Sequence, residues 1–240
     1  MFNILTAGSA LSKIYGEMKI FFKNIPEIEK ARKDGDWDKE KEIIRLGTGK
    51  FARNVAQKLG IEIQVEGREN IPEDGPILVI SNHQGYADIL AVFYALQSVQ
   101  VGFIAKDECK KIKPLANGII YTSSLFIKRG GAKEAVQTLK DATELMKTGH
   151  SLAIFPEGTR SRKSAPGKFK PGSFKFAGRA GVPILPITII DSYKIYEEKN
   201  RMQKGKIKVI IHPLVEYQNM SRSEQVEAQH KIEETIINAL

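Results

Sequence analysis

The first sixty residues place apolar side chains three and four positions apart, which is the pattern of amphipathic helices. One apolar stripe covers residues 11–25. It is interrupted at residues 24–27 by NIPE, whose asparagine and proline are typical of a helix start. A second helix is predicted over residues 36–59, with Gly60 at its C-terminal end. We therefore interpret residues 1–60 as an N-terminal pair of amphipathic helices.

From residue 61 onwards, short apolar runs alternate with stretches of helical periodicity. IEIQVEG alternates as a half-buried strand does, and PILVIS and SLAIFP are apolar enough for buried strands. Near the C-terminus, SRSE predicts a helix with a capping box, in which Ser221 is the N-cap and Glu224 lies three positions later. Strands that alternate with helices predict the α/β class. For residues 61–240 we expect a single mixed, largely parallel sheet flanked by helices, with the helical pair added at its N-terminus.

The composition is that of an ordinary globular protein, and it restricts the class of protein only through its cysteine content and the length of its apolar stretches. The chain has 240 residues, 42% of them hydrophobic and 27% charged. Cys109 is the single cysteine, which excludes an internal disulfide framework and agrees with a reducing compartment. We expect no secretory signal peptide, because the N-terminus lacks a basic start followed by a compact apolar core. We also expect no membrane-spanning helix, because no apolar stretch reaches roughly 18 residues.

The net charge of +9 is concentrated in the middle of the chain. Residues 106–175 hold 15 Lys and Arg against 6 Asp and Glu, whereas the remainder is balanced. Such a field suits an anionic partner, such as phosphate groups, acidic lipid, an acidic carrier protein or nucleic acid, and it is equally compatible with a solvated basic surface. The segment lacks interleaved aromatics and any recognisable nucleic-acid-binding motif, so we expect no nucleic acid partner.

The stretch SNHQGYADIL follows a predicted buried strand and places His83 and Asp88 five positions apart. On a regular helix the two side chains would diverge by about 140°, so they can meet only if His83 lies in the turn before the helix. Gly85 suits such a turn. The carboxylate would then fix the imidazole tautomer and leave the other nitrogen as a general base. An alternative is that Asp88 only caps the helix and that His83 has no catalytic role. The other histidines lack the spacing of metal ligands, so we expect no metal site.

Two further polar stretches follow predicted strands, and parallel strand ends gather ligands at one edge of a sheet. FIKRGG supplies Arg129 and FPEGTRSR supplies Arg160, which could bind phosphate bidentately. Glu157 could accept hydrogen bonds from hydroxyl groups or orient Arg160, and Lys106 offers a further cation. A plain turn with solvated charges is the alternative for each of these stretches taken alone.

NHQGYAD, FIKRGG, FPEGTRSR and VPILPI, in this order and at these separations, resemble the four sequence blocks of the glycerolipid acyltransferase family. They are most similar to the blocks of the bacterial 1-acyl-sn-glycerol-3-phosphate acyltransferases, and the resemblance covers roughly residues 71–190. It implies His83 as general base and Asp88 as its partner. It also implies a site for the phosphate-bearing acceptor, formed by Arg129, Glu157, Gly158, Thr159 and Arg160. Gly85 stands where the family often has serine, which we expect to loosen the turn without removing a reacting group.

The resemblance further implies transfer of a fatty acyl group from acyl-CoA or acyl carrier protein to the sn-2 hydroxyl of lysophosphatidate, giving phosphatidic acid. The acyl thioester is a co-substrate, and no cofactor is expected. Another acceptor, such as glycerol-3-phosphate or another lysolipid, and a non-catalytic protein that binds anionic lipid, are the alternatives. Acyl-chain length and oligomeric state cannot be read from the sequence.

The helical pair of residues 1–60 has two compatible interpretations, packing on the α/β domain and peripheral, monotopic anchoring to anionic lipid. We expect the anchor to lie at the cytoplasmic face of the cell membrane. The side chains expected to contact the membrane are the apolar Phe2, Ile4, Leu5, Phe21 and Phe22 and the basic Lys13, Lys19 and Lys23.

Overall fold

The computed structural model describes residues 4–127 and 132–240, with side chains described from residue 8 and residue 133 onwards in the two ranges. The described part of the first sixty residues forms three helices, α1 (Ile4–Phe21), α2 (Ile25–Asp34) and α3 (Trp37–Leu59). A single 3-10 turn joins α1 to α2, because proline is tolerated in a first helical turn and the chain resumes its helix there. The helical element is therefore confirmed, but a short α2 lies between the two predicted helices.

Capping interactions set the later boundaries of this element, including the predicted helix end at Gly60. The Asp36 side chain accepts a hydrogen bond from the Lys39 N–H at 3.0 Å and so caps the first turn of α3. Gly35 and Gly60 have φ values of 70° and 67°, a left-handed conformation that glycine adopts without the steric penalty of a Cβ atom. These two glycines end α2 and α3.

The remaining described residues form a seven-stranded sheet in the order β1-β7-β6-β2-β5-β3-β4. Its strands are β1 (Ile61–Glu66), β2 (Leu78–Ser81), β3 (Val101–Lys106), β4 (Leu125–Ile127), β5 (Ser151–Ile154), β6 (Ile184–Ile190) and β7 (Gly205–Ile211). All neighbouring pairs run parallel except β6 and β7. The helices are α4 (Ala87–Ala95), α5 (Lys113–Tyr121), α6 (Ala132–Lys147), α7 (Lys175–Ala180) and α8 (Arg222–Asn238). The predicted α/β class and mixed, largely parallel sheet are confirmed.

The hydrophobic core lies on both faces of the sheet. Within β2, Leu78 and Ile80 belong to the cluster that α6, α7 and α8 cover, whereas Val79 belongs to the cluster that α3 and α4 cover. This division follows from the two-residue period of a strand, which sends successive side chains to opposite faces. All three side chains are fully buried, so β2 is a central strand and its C-terminal end is held firmly in place.

The parallel strands deliver several loops to one edge of the sheet. The C-terminal residues of β2, β3, β5 and β6 all lie there, and the loop that follows each of them starts at this edge. We call it the C-terminal edge. The beginnings of β1 and β7 lie at the same edge, because β7 runs antiparallel to β6 with Lys208 opposite Ile190, and β1 begins with Ile61 opposite Gly205.

A buried ionic cluster fastens the helical element to the opposite edge. Glu40 of α3 is 1% exposed and accepts hydrogen bonds at 2.7 Å from Arg32 Nε and from Ser123 Oγ, and His150 Nε2 lies 3.6 Å from its other oxygen. Burial opposes ionisation of Glu40, but His150, Ser123 and Arg32 together outweigh it and lower the pKa of the carboxyl from 4.5 to about 2. Ser123 precedes β4 and His150 precedes β5, so the cluster joins α2 and α3 to the sheet.

None of the described helices is both long enough and apolar enough to cross a membrane.

The Glu40 cluster predicts a pH-dependent stability. The folded-state pKa lies below the ordinary value of 4.5, so the stabilisation is fully present above pH 4.5 and is lost as the pH falls towards about 2. We expect the difference in free energy of unfolding between the wild type and Glu40→Gln to shrink by about 2 kcal/mol between pH 6 and pH 3, measured by urea denaturation. The exposed Glu42 on the same helix gives the control variant, Glu42→Gln, for which the difference should stay constant. Parallel pH profiles for wild type and Glu40→Gln would contradict this account.

Candidate active site

His83 and Asp88 form a hydrogen-bonded pair where β2 ends and α4 begins. His83 lies in the turn after β2 and Asp88 is the second residue of α4, which agrees with the argument from their five-residue spacing. His83 Nδ1 is 2.6 Å from Asp88 Oδ2. Asp88 is fully buried, and its carboxylate also accepts hydrogen bonds from the Gly85 N–H at 2.9 Å and from the Ser192 hydroxyl. Three donors therefore hold this buried carboxylate, as a buried charge requires.

The orientation of the His83 ring leaves one nitrogen for a substrate. A carboxylate only accepts hydrogen bonds, so in the neutral imidazole the proton is on Nδ1 and the lone pair is on Nε2. Nε2 makes no hydrogen bond to a described residue. The ring stacks on Phe155 with 4.1 Å between centroids and 12° between planes, and Phe155 in turn lies 6.0 Å from Phe103. His83 is thus a candidate base, backed by aromatic rings and held by a buried carboxylate.

Glu157 supports the turn that carries His83. Its side chain is buried, with Oε1 accepting the His83 N–H at 2.6 Å and Oε2 accepting the Gly167 N–H at 2.7 Å. Burial raises the pKa of Glu157, and the two backbone hydrogen bonds oppose that rise. The sequence suggested that Glu157 meets substrate hydroxyls or orients Arg160. In the structure each of its oxygens accepts a hydrogen bond from a backbone N–H group, so Glu157 joins two loops, and Arg160 is oriented by another carboxylate.

Arg160 lies beside the same turn and is oriented by a different carboxylate. Its Nη1 donates to Glu197 Oε1 at 2.8 Å, and its guanidinium carbon lies 3.6 Å from the centroid of the Tyr86 ring. The neighbouring Ser161 N–H donates to the His83 carbonyl at 2.8 Å. Stretches 83–86 and 160–162 are therefore bonded side by side, which brings the first and third sequence blocks into one site.

The other residues predicted for the phosphate site lie at different places in the structure. Gly158 and Thr159 are exposed in the turn after β5, and Gly158 has a left-handed φ of 68°. Lys106 is the last residue of β3, at the C-terminal edge, and is half-buried. Arg129 lies outside the described residues. Among the residues that the structure describes, no group of three or more His, Cys, Asp or Glu side chains is arranged to hold a metal ion.

The loop after β6 contributes three contacts that the sequence reasoning missed. Asp191 has a left-handed φ of 67°, and the sharp turn directs Ser192 towards Asp88. The buried Gln84 accepts the Ser192 N–H at 3.1 Å, and Glu197 accepts the Tyr86 N–H at 2.9 Å. The only signal in the sequence was the polar stretch DSYKIYEE after an apolar strand, the same signal that marked the other loops of this edge.

The structure also changes the interpretation of Gly85. We expected the glycine to loosen the turn, but its φ lies outside the left-handed region. A Cβ atom at this position would lie 2.8 Å from Glu197 Cδ and would overlap the carboxylate. Glycine is therefore required here by the close approach of Glu197 and not by backbone flexibility.

Together, these contacts define an α/β protein with an acid–base site at the ends of its parallel strands, where a histidine is held by a buried aspartate next to a half-buried arginine. Residues 62–190 match the family model described as Acyltransferase, which is more than half of the chain, and the chain belongs to that family.

Individual relatives agree with this assignment. The chain is 34% identical over 175 residues to a chloroplastic 1-acyl-sn-glycerol-3-phosphate acyltransferase of Brassica napus, over 72% of this chain and 50% of that protein. It is 30% identical over 182 residues to the 1-acyl-sn-glycerol-3-phosphate acyltransferase of Borreliella burgdorferi, over 75% and 72% of the two chains. The match thus spans about half of the plant relative but most of the bacterial one.

The fold is also that of a solved structure. The crystal structure of the 1-acyl-sn-glycerophosphate (LPA) acyltransferase PlsC from Thermotoga maritima superposes with a TM-score of 0.77 at 28% identity, covering 100% of this chain and 96% of that chain. The similarity therefore includes the N-terminal helical element as well as the region that matches the family model.

The close approach of Gly85 and Glu197 gives a direct stability prediction. Gly85→Ala should lower the free energy of unfolding by about 2 kcal/mol, because the added methyl group must displace a buried carboxylate. The measurement is urea denaturation at neutral pH. Gly172→Ala is the matched control, since a Cβ atom there has nothing within 4 Å, and its effect should stay within about 0.5 kcal/mol. Equal stability of the two variants would show that the turn tolerates a side chain.

Proposed function

We propose that the protein transfers an acyl group from an acyl thioester, acyl-CoA or acyl carrier protein, to the sn-2 hydroxyl of 1-acylglycerol-3-phosphate, giving phosphatidic acid. The observation that carries this proposal is the His83–Asp88 pair, with its free Nε2, bonded through the backbone to the loop of Arg160. The acyltransferase family and the names of the relatives support an acyl donor and a lysophosphatidate acceptor.

In the proposed reaction, His83 Nε2 removes the proton of the acceptor hydroxyl while the oxygen attacks the thioester carbonyl carbon. The Asp88 carboxylate stabilises the imidazolium that forms, and its hydrogen bonds to Gly85 and Ser192 prevent it from rotating away. The tetrahedral intermediate then releases the thiolate, which takes the proton from His83 and leaves as the free thiol. The acceptor hydroxyl is itself the nucleophile, so the step as written needs no covalent acyl-enzyme and no cofactor beyond the thioester.

Arg160 is the proposed partner of the acceptor phosphate. Its guanidinium is held beside the His83 turn by Glu197 and Tyr86, and a guanidinium offers several N–H donors in one plane to phosphate oxygens. Lys106 and Arg129 remain proposed contributors at the same site. Glu157 acts through the backbone, since its hydrogen bond to the His83 N–H fixes where the base stands.

Substitution of the pair tests the mechanism. His83→Ala should lower kcat by about 10³-fold or more, and Asp88→Asn by about 10²-fold or more, because the first removes the base and the second removes the charge that stabilises the imidazolium. The assay follows release of free thiol from acyl-CoA and from acyl carrier protein, with lysophosphatidate, glycerol-3-phosphate and other lysolipids as separate acceptors. The exposed His230 on α8 supplies the control variant His230→Ala, which should keep full activity. Full activity of His83→Ala would refute the mechanism, and inactivity of the wild type with every pair would refute the function.

We further propose that the protein works as a peripheral protein at the cytoplasmic face of the cell membrane, and the structure modifies which side chains would contact lipid. Phe21 is buried against Ile28 and Ile44, with Phe22 packed on the same cluster, so both serve the packing of the helical element. Ile4 and Leu5 lie in α1 without described side chains, and Phe2 lies outside the described residues.

An exposed apolar surface remains at the C-terminal edge. Leu11 and Tyr15 of α1 are 64% and 43% exposed, and Ile112 and Leu115 at the start of α5 are also exposed. We call these four side chains the lipid face. Lys13, Lys111 and Lys113 are exposed basic residues next to it in the sequence, exposed Lys19 lies four positions after Tyr15, and exposed Lys23 lies beyond the end of α1.

The position of α1 places this surface next to the site. Lys13 Nζ donates to the Lys58 carbonyl at 3.0 Å, so the middle of α1 lies near the end of α3. The end of α3 leads directly into β1, which begins at the C-terminal edge. The start of α5 follows β3 and lies on the same side, because β3 ends at that edge. Apolar side chains flanked by lysine suit anionic lipid, and here they would bring the bilayer to the edge that holds His83.

The helical element contributes Ala52, Val55 and Ala56 to the core, so we test the lipid face by point substitutions and not by deletion of residues 1–60. Leu11→Ser combined with Tyr15→Ser should lower partitioning onto anionic vesicles about tenfold or more, because two apolar side chains are lost from the contact. Val136→Ser combined with Val226→Ser removes equally exposed apolar groups from α6 and α8 and should leave partitioning unchanged. Equal sedimentation of both double variants would refute this lipid face.

A further inference from the structure

Glu197 joins the two turns of the site and belongs to neither of the sequence blocks that form them. It follows β6 and lies beyond residues 62–190, the region that matches the family model. Its Oε1 accepts hydrogen bonds from the Tyr86 N–H at 2.9 Å and from Arg160 Nη1 at 2.8 Å. A single buried oxygen thus connects the turn of the candidate base with the candidate phosphate ligand.

The second oxygen of Glu197 shows that this ion pair is incomplete. Oε2 is buried and has no hydrogen-bond partner among the described residues. Arg160 could satisfy it by a bidentate contact, the usual geometry of an arginine–carboxylate pair, but it donates to Oε1 alone. The remaining guanidinium N–H groups of Arg160 make no hydrogen bond to a described residue, and the side chain is 20% exposed. The pair therefore fixes the guanidinium while leaving donors for another anion.

Two further contacts determine the position of the Arg160 guanidinium. It lies over the Tyr86 ring, at a distance of 3.6 Å that allows a cation–π interaction. Tyr86 in turn makes an edge contact with Tyr196, the residue before Glu197, with ring centroids 5.8 Å apart. Segment 196–197 therefore supports both the ring beneath the arginine and the carboxylate at its end.

We propose that Glu197 is a positioning residue for the acceptor: it holds Arg160 against Tyr86, beside His83, so that the free guanidinium donors meet the acceptor phosphate. This inference rests on the proposed function and assigns to residue 197 the alignment of that phosphate with the base. The exclusion of a side chain at Gly85 has the same cause, since the space beside Gly85 is filled by the Glu197 carboxylate.

A purely structural role for Glu197 predicts a different result from a positioning role. If Glu197 only stabilises the His83 turn through the Tyr86 N–H, its removal should lower kcat and leave the KM for the acceptor unchanged. If it acts through Arg160, its removal should raise the KM for lysophosphatidate, and the effect should vanish once Arg160 is gone.

The experiment is a double-mutant cycle on the full chain, with steady-state kinetics on lysophosphatidate presented in detergent micelles. Glu197→Ala should raise the KM for lysophosphatidate about tenfold with kcat within about threefold, and Glu197→Gln, which keeps an acceptor oxygen without its charge, should raise it about threefold. In the Arg160→Ala background, either substitution should change KM by less than about twofold. Glu198→Ala, at the adjacent exposed carboxylate, should match the wild type.

The rate with 1-acylglycerol, an acceptor without phosphate, separates the two roles again. Glu197→Ala should change this rate by no more than about threefold, the limit given for kcat, if the residue acts on the phosphate ligand. A fall in kcat with unchanged KM, or effects of Glu197 and Arg160 that multiply, would overturn the inference. If Glu197→Ala does not fold, the Glu197→Gln cycle makes the same comparison. Inactivity of the wild type would refute the proposed function, whereas an active wild type that is indifferent to residue 197 would refute only this inference.

Discussion

The site depends on a fully buried carboxylate, Asp88, whose three hydrogen-bond donors come from two separate parts of the chain. An ionised carboxylate in a protein interior is stable only when hydrogen bonds replace the water it has lost. Here they come from the His83 ring, the Gly85 backbone and the Ser192 hydroxyl. The requirement explains why the turn after β2 and the loop after β6 must close on each other: if either moved away, a buried charge would be left without its partners.

A second buried carboxylate closes the site from the other side. Glu157 bonds the backbone of His83 and of Gly167, and burial raises the pKa of its carboxyl. Each of its oxygens accepts a backbone hydrogen bond, so Glu157 fixes the relative position of the two loops. The two carboxylates thus hold different parts of His83, since Asp88 bonds to its ring and Glu157 bonds to its main-chain N–H. This arrangement limits the freedom of His83 Nε2, and preorganisation of that kind lowers the cost of reaching a reactive geometry.

Much of this arrangement was predictable from short-range patterns. The period of apolar residues predicted the α/β fold, and the five-residue spacing predicted that His83 precedes the helix that contains Asp88, because both arguments use local geometry alone. The partners Ser192 and Glu197 were not predictable, since Ser192 lies more than 100 positions from Asp88 and Glu197 more than 100 positions from Tyr86. Periodicity also could not tell which face of α1 packs inward, so Phe21 was expected at a membrane although it lies in the helical element's own core.

The attachment of that helical element has a consequence for how a lipid substrate would be encountered. The Glu40 cluster joins the element to the sheet at its far edge and the core residues of α3 pack on the sheet face, while the middle of α1 lies near the end of α3, at the edge where β1 begins. A protein docked through the lipid face would therefore hold its C-terminal edge in one fixed orientation relative to the membrane. The protein would then search for an acceptor by lateral diffusion in two dimensions. The length of α1 would fix the height of His83 above the lipid headgroups.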